Sequence, residues 1–356
     1  MINLDLLKNI DRVDYQDSRT ENCYRCDRNE KIVDWPKEYF NKILDKTTQT
    51  ELTSYPKDNF RDLHEKFSNY LGVNKSNINI TTGSDAAIRD FFILNHHIKK
   101  IAVLSDTYGM YSVYAKCFGI EIIEIPYEFD LNSNGNIAFL RKDKLYQNIK
   151  DVDAFCFVNP NQISNNDISL NELDSLCKNY PDKKFLIDEA YYGFGHYTAI
   201  PLTRKHNNIF VTRSFSKTFG LASLRVGALI ASEDSIKPFK TLATTYASNV
   251  FSSQSCIFFL DNINCVRYYN DLTVLGRDWF VNELRKSEYK VVSPKSISIM
   301  IYCDSQKEQQ RILQESKEKE FYFKGITTNS KHHFIRVTCG PEKIMQQIYK
   351  KCFKND

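Results

Sequence analysis

The sequence predicts an α/β fold: a large domain with a mostly parallel central sheet covered by helices, plus a smaller α+β domain built from both termini. Three observations carry that expectation. Between residues 78 and 231 short apolar runs recur, each ending in polar or glycine residues. Segments of helix length separate them, and near-continuous apolar runs are what strands buried on both faces of a parallel sheet require. Outside this block the pattern changes to helical stretches that lead into strand-like runs.

In chain order, Glu38 to Lys46 has a helical pattern. The runs NINITTG, IAVLSD, IEIIEI, AFCFVNP, FLIDEA, NIFVTRSFSK and VGALIAS then read as successive strands. From about residue 255 helical segments precede the strand-like SISIMIYC and HFIRVTC. The predicted division is 46–254 for the large domain and 1–45 with 255–356 for the small one. Ligands of such sheets lie at the carboxyl ends of the strands. Asn159, Asp188 and the group from Ser214 to Lys217 occupy those ends and are expected to converge on one crevice.

Composition excludes several classes. Hydrophobic residues make up 42% and charged residues 26% of the 356-residue chain, the balance of a folded globular protein. No stretch of about 18 apolar residues is present to cross a bilayer. The opening MINLDLLKNIDRVDYQDSRT carries acidic residues and lacks a small-residue cleavage site, so a cytoplasmic protein is expected. Ten cysteines are scattered and several fall inside apolar runs, which favours buried thiols over disulfides. Cys23 and Cys26 form a CxxC pair with no second pair or His cluster at ligand spacing, so no metal site is expected. With 48 basic against 44 acidic residues the net charge is +4 and the lysines are spread, which does not call for nucleic acid.

The segment SFSKTFGLASLRVG, residues 214–227, places Lys217 after two serines at a strand end, with Arg225 eight positions later. Hydroxyls donate hydrogen bonds and a guanidinium binds oxyanions, so this grouping suits a phosphate beside a reactive amine. In FLIDEAYYGFG, Asp188 and Glu189 follow directly on an apolar strand. An unpaired carboxylate there is expensive, so a cationic group should meet Asp188.

An ordered series of segments then resembles the fold-type I pyridoxal-phosphate enzymes, class I/II, and within them the histidinol-phosphate aminotransferase group. The series comprises SYP at 54–56, TTGSDAAI at 81–88, DTYGMY at 106–111, VNPNQ at 158–162, IDEAYYGFG at 187–195, SFSKTFGLASLRVG, and FIRVTCG at 334–340. The resemblance implies pyridoxal 5'-phosphate as cofactor and assigns roles by position. Lys217 becomes the Schiff-base lysine and the proton shuttle at the substrate α-carbon, and Asp188 faces the pyridine nitrogen. Asn159 and Tyr191 are implied to hydrogen-bond the ring's phenolic oxygen, and Tyr108 to stack on the ring. Backbone amides of Ser84 and Asp85 at a helix start, with Ser214, Ser216 and Arg225, form the phosphate cup. Tyr55 reaches the phosphate of a partner subunit, which implies a homodimer with shared sites, and Arg336 clamps the substrate carboxylate.

Two segments depart from the family pattern. After Asn159 the chain reads NPNQISNND, without the second proline and the Thr-Gly pair common there. In FYFKGITTNSKHHFIR, Lys324 stands nearest to the place where the histidinol-phosphate enzymes carry a phosphate-binding arginine. The leading expectation is transfer of an amino group from an amino acid to a small oxo compound, phosphorylated or not. A decarboxylase of an amino acid or phosphorylated amino acid is the runner-up, because the same cofactor cup activates every bond at the α-carbon. A ligand-binding protein without turnover is disfavoured by the presence of Lys217, Asp188 and Arg225. A nicotinamide dehydrogenase lacks its G-x-G-x-x-G after the first strand.

Overall fold

The computed structural model describes residues 22–56, 60–133, 137–164, 168–195 and 197–354. The seven apolar runs form one sheet: β1 (Ile78–Thr81), β2 (Lys100–Leu104), β3 (Glu121–Ile125), β4 (Ala154–Val158), β5 (Lys184–Asp188), β6 (Ile209–Ser214) and β7 (Gly227–Ile230). Their spatial order is β1-β7-β6-β5-β4-β2-β3. β2, β3, β4, β5 and β6 pair in parallel, whereas β7 runs antiparallel to both β6 and β1.

Side chains alternate along each strand, and both faces are covered. Ala154, Cys156 and Val158 of β4 enter one apolar cluster while Phe155 and Phe157 enter another. On the first face the cluster takes in Phe91 and Phe92 of α1 (Gly83–Leu94) and Ala115 of α2 (Met110–Phe118). On the second it takes in Phe258 and Phe259 of α3 (Val250–Asp261). Two-sided burial is why β4 is apolar throughout rather than alternating, while the edge strand β3, Glu121–Ile125, carries two exposed glutamates. Each fully buried phenylalanine contributes roughly 1.5–3 kcal/mol.

A second sheet is antiparallel throughout, with the order β8 (Val291–Val292), β9 (Ser298–Cys303), β11 (His333–Thr338), β10 (Lys324–Thr327). Ile299, Ile301, Ile335 and Val337 pack with Phe280, Val281 and Leu284 of the 24-residue helix α4 (Ile263–Lys286). Cys26 and Ile32, from near the amino end, complete that cluster. The early segment is drawn there by Tyr24–Arg25, which pairs in parallel with Phe321–Tyr322.

Candidate active site

The carboxyl ends of β1, β2, β4, β5 and β6 share one edge of the large sheet, and the start of β7 lies at the same edge because that strand runs the other way. Gly227 opposes both Thr81 and Ser214. Its lack of a side chain is required: a methyl there would stand 2.5 Å from the Ser84 backbone nitrogen. Gly83 begins α1 with φ +77°, and a methyl on it would come 2.7 Å from the Arg225 guanidinium. Arg225 itself is held in the left-handed region at φ 52°. A guanidinium therefore lies against the positive end of a 12-residue helix whose N-cap, Thr82, makes no side-chain cap. Two positive elements placed this close together favour an anion beside them. Ser214 and Ser216 are buried, with the Ser216 N–H donating to Ser214 Oγ at 3.0 Å.

The Asp85 carboxylate is engaged by two tyrosines. Its Oδ1 accepts from Tyr108 Oη at 3.2 Å and from Tyr114 Oη at 3.0 Å. The Tyr108 ring is left 43% exposed, open to a planar group lying on it.

Asp188 ends β5 almost fully buried. Its Oδ1 accepts from Thr212 Oγ1 at 2.7 Å and from the Ala190 N–H at 3.1 Å. Burial pushes its pKa up to about 6 against those two bonds, and the Glu189 and Asp85 carboxylates push the same way. A cationic ring nitrogen would relieve this, since an opposite charge favours the ionised carboxylate. The Asn159 N–H donates to the Asp188 carbonyl at 2.8 Å and so ties the ends of β4 and β5 together. Asn159 Nδ2 donates to the Tyr197 carbonyl at 3.3 Å, while its Oδ1 is buried and meets no donor among the described residues.

Lys217 follows β6 on the same edge, and its Nζ donates to the Arg28 carbonyl at 2.9 Å. Burial draws its pKa down to about 8; Glu30 opposes the shift, and Arg336 and Arg225 reinforce it. Arg336, on β11, donates from Nη2 to the Asp27 carbonyl at 2.7 Å. Lys324 on β10 stands directly opposite Arg336 in register and is exposed, and facing residues of an antiparallel pair share a sheet face. The Tyr191 hydroxyl accepts from Asn29 Nδ2 at 3.1 Å. Tyr55 is not gathered into this cluster: it is 77% exposed and stacks on Tyr246, ring centroids 4.9 Å apart.

Sequence reasoning missed the segment Asp27–Asn29, which crosses the crevice and touches Arg336, Lys217 and Tyr191 in turn. It has no periodicity to mark it, and its partners are far along the chain. Thr212 was also missed, although a signal existed. A polar residue inside a strand buried on both faces needs a partner, and Thr212 lies opposite Asp188.

These residues fit pyridoxal phosphate: an uncapped helix start facing a guanidinium, a buried carboxylate raised in pKa, an unmet buried acceptor, and a lysine depressed in pKa. The family model for aminotransferase class I and II matches residues 20–351. The chain belongs to that family. It is a pyridoxal-phosphate-dependent aminotransferase with the fold-type I architecture. The histidinol-phosphate aminotransferase of Clostridium novyi is 26% identical over 339 residues, covering 93% of this chain and 91% of that protein. That of Buchnera aphidicola subsp. Schlechtendalia chinensis is 32% identical over 252 residues, 69% of this chain and 68% of the other. The histidinol-phosphate aminotransferase of Sinorhizobium meliloti, solved in complex with pyridoxal-5'-phosphate, superposes with a TM-score of 0.76 at 15% identity, covering 91% and 88% of the two chains.

Among the described residues no group of three or more His, Cys, Asp or Glu is placed to hold a metal ion, and no helix is long and apolar enough to cross a membrane. Among the described residues no two cysteines form a disulfide.

Proposed function

We propose that this aminotransferase passes an amino group from an amino acid donor to a small phosphorylated oxo compound of the kind named by its histidinol-phosphate relatives. The observation that carries the reading is one crevice holding Lys217, Asp188 and Arg336, with Lys324 facing Arg336 across two paired strands. Pyridoxal phosphate, when bound, supplies an aldehyde that takes up the donor's amino group and a ring that accepts electrons from the α-carbon.

The chain's residues do the rest. Lys217 would hold the cofactor through its ε-amine and would carry the proton at the substrate α-carbon. Asp188 keeps a proton on the ring nitrogen. Asn159 and Tyr191 attend the phenolic oxygen, Tyr108 covers the ring face, and the Ser84 and Asp85 amides with Ser214, Ser216 and Arg225 hold the phosphate. Arg336 takes the substrate carboxylate as a two-pronged donor, and Lys324 meets the distal phosphate as a point charge. Tyr55 completes the site of a second copy of the chain, acting in the cytoplasm. The division into a cofactor lobe at 46–254 and a lobe from 1–45 with 255–356 belongs to the same proposal; residues 1–21 lie outside the described residues.

The test is amino-group exchange by the purified holoenzyme with panels of donors and of phosphorylated and unphosphorylated acceptors. Lys217→Ala is expected to abolish exchange, and full activity in that variant overturns the mechanism. Lys324→Met is expected to raise KM about fivefold for a phosphorylated acceptor and to leave an unphosphorylated one unchanged, as loss of one exposed charge contact implies. Release of carbon dioxide from an amino acid with no acceptor present would replace transfer by decarboxylation.

A further inference from the structure

Asn29 is 1% exposed and sits in the left-handed region at φ 54°. Every polar group of its side chain is engaged. Its Nδ2 donates to Gln162 Oε1 at 2.7 Å and to the Tyr191 hydroxyl at 3.1 Å. Its Oδ1 accepts from Thr338 Oγ1 at 3.1 Å, and that same hydroxyl accepts the Asn29 N–H at 3.0 Å. Gln162 is fixed in turn: Oε1 also accepts from Ser298 Oγ at 2.7 Å, and Nε2 donates to Ser296 Oγ at 2.9 Å.

The directions of these bonds follow from one another. The Asn29 backbone N–H can only donate, so the Thr338 hydroxyl accepts it, and that hydroxyl gives its own proton to Asn29 Oδ1. Asn29 therefore presents its NH2 to Gln162 and Tyr191. Rotating the Asn29 amide alone would set its oxygen against Gln162 Oε1, the atom that also accepts from Ser298 Oγ. The oxygen of the Tyr191 hydroxyl is thus an acceptor from Asn29. Its proton has no acceptor among the described residues and is left for the crevice.

We infer that Asn29 is a positioning residue that fixes the Tyr191 hydroxyl as a hydrogen-bond donor into the crevice. The inference rests on the proposed assignment of Tyr191 to the cofactor's phenolic oxygen. A hydroxyl that accepts a bond donates a stronger one, because chained hydrogen bonds polarise each other. A donor on the phenolic oxygen withdraws charge that would otherwise hold a proton on the linked Lys217 nitrogen, so that proton leaves at lower pH. The charged groups around Tyr191 are Arg336, which favours its ionised form, and Asp188, which opposes it. Both are untouched by substitution at 29.

The experiment follows the visible absorption band of the holoenzyme against pH. Asn29→Asp puts an acceptor where the donor was and draws the Tyr191 proton away from the cofactor. The midpoint is expected to rise by about one unit, the size of one hydrogen bond to a charged group. Tyr191→Phe is expected to raise it by a similar amount. In the Tyr191→Phe background Asn29→Asp should then add little, because both act through one hydroxyl. Asn29→Leu, uncharged and of similar size, keeps the test open should a buried carboxylate unfold the chain, and is expected to move the midpoint in the same direction by less.

Equal shifts from Asn29→Asp in the two backgrounds would mean charge acting through space and would overturn the inference. So would an unmoved midpoint in both Asn29 variants while Tyr191→Phe shifts it, which leaves the proposed function standing. An unmoved midpoint in Tyr191→Phe itself removes the Tyr191 assignment together with the inference.

Discussion

Burial acts on Lys217 and Asp188 in opposite senses, because in each case it penalises the charged form. For Lys217 the depressed pKa of about 8 brings a neutral amine within reach of ordinary pH. Uptake of pyridoxal phosphate by the cofactor-free chain should therefore accelerate with pH through a midpoint near 8. Stopped-flow absorbance would measure it, and a midpoint above 10 would mean a solvated lysine. For Asp188 the native pKa of about 6 exceeds the ordinary 3.8. The unliganded fold is thus favoured where the group is protonated, and that advantage is lost as pH rises through 6. Asp188→Asn keeps an acceptor for Thr212 and Ala190 but carries no charge. It should stabilise the cofactor-free chain by roughly 2–3 kcal/mol at pH 8, with no gain below pH 4. The same variant should slow amino transfer about a hundredfold or more, since it no longer holds the ring nitrogen protonated. Denaturant unfolding at the two pH values separates the two effects.

At the scale of elements, strands such as β2, β4 and β7 were legible because burial on both faces makes each a nearly unbroken apolar run, whereas the edge strand β3 sets two glutamates among its isoleucines. The direction of β7 was not legible, since VGALIAS reads like its neighbours. What turns it is the connection 215–226, which folds back on itself through Phe215 N–H to the Val226 carbonyl at 3.0 Å and Leu221 N–H to the Phe215 carbonyl at 3.0 Å. That reversal brings Arg225 to the helix start and forces Gly227 against it. Gly227→Ala must push backbone against backbone at Gly83 and Ser84. The expected result is a loss of about 1–3 kcal/mol in stability together with weaker cofactor binding. Gly109→Ala is the control: Gly109 has helical φ and nothing within 4 Å of a new methyl. Calorimetry and cofactor titration of the pair should separate cleanly, and equal behaviour would discount the close approach.

For the whole molecule, the least legible feature was how the amino end enters the site. Asn29 and Thr338 are 309 positions apart, as are Asp27 and Arg336, and no local pattern in CDRNEK announces partners at that distance. Trp35 Nε1 donates to the Phe219 carbonyl at 3.0 Å and fastens the same segment to the loop after Lys217. Tyr55 shows the opposite case, a residue whose motif was readable but whose place in one chain is the surface, with Leu52 exposed nearby and Tyr246 stacked on it. If its hydroxyl serves a second copy, two defective chains should repair each other. Tyr55→Ala removes a group from the neighbour's site, and Lys217→Ala removes one from its own. A mixed dimer keeps one site in which both residues are intact, so equal mixing after dissociation should restore about a quarter of native activity. Each variant alone should stay far below that level. No recovery in a mixture whose exchange is verified by mass would place Tyr55 in the service of its own chain.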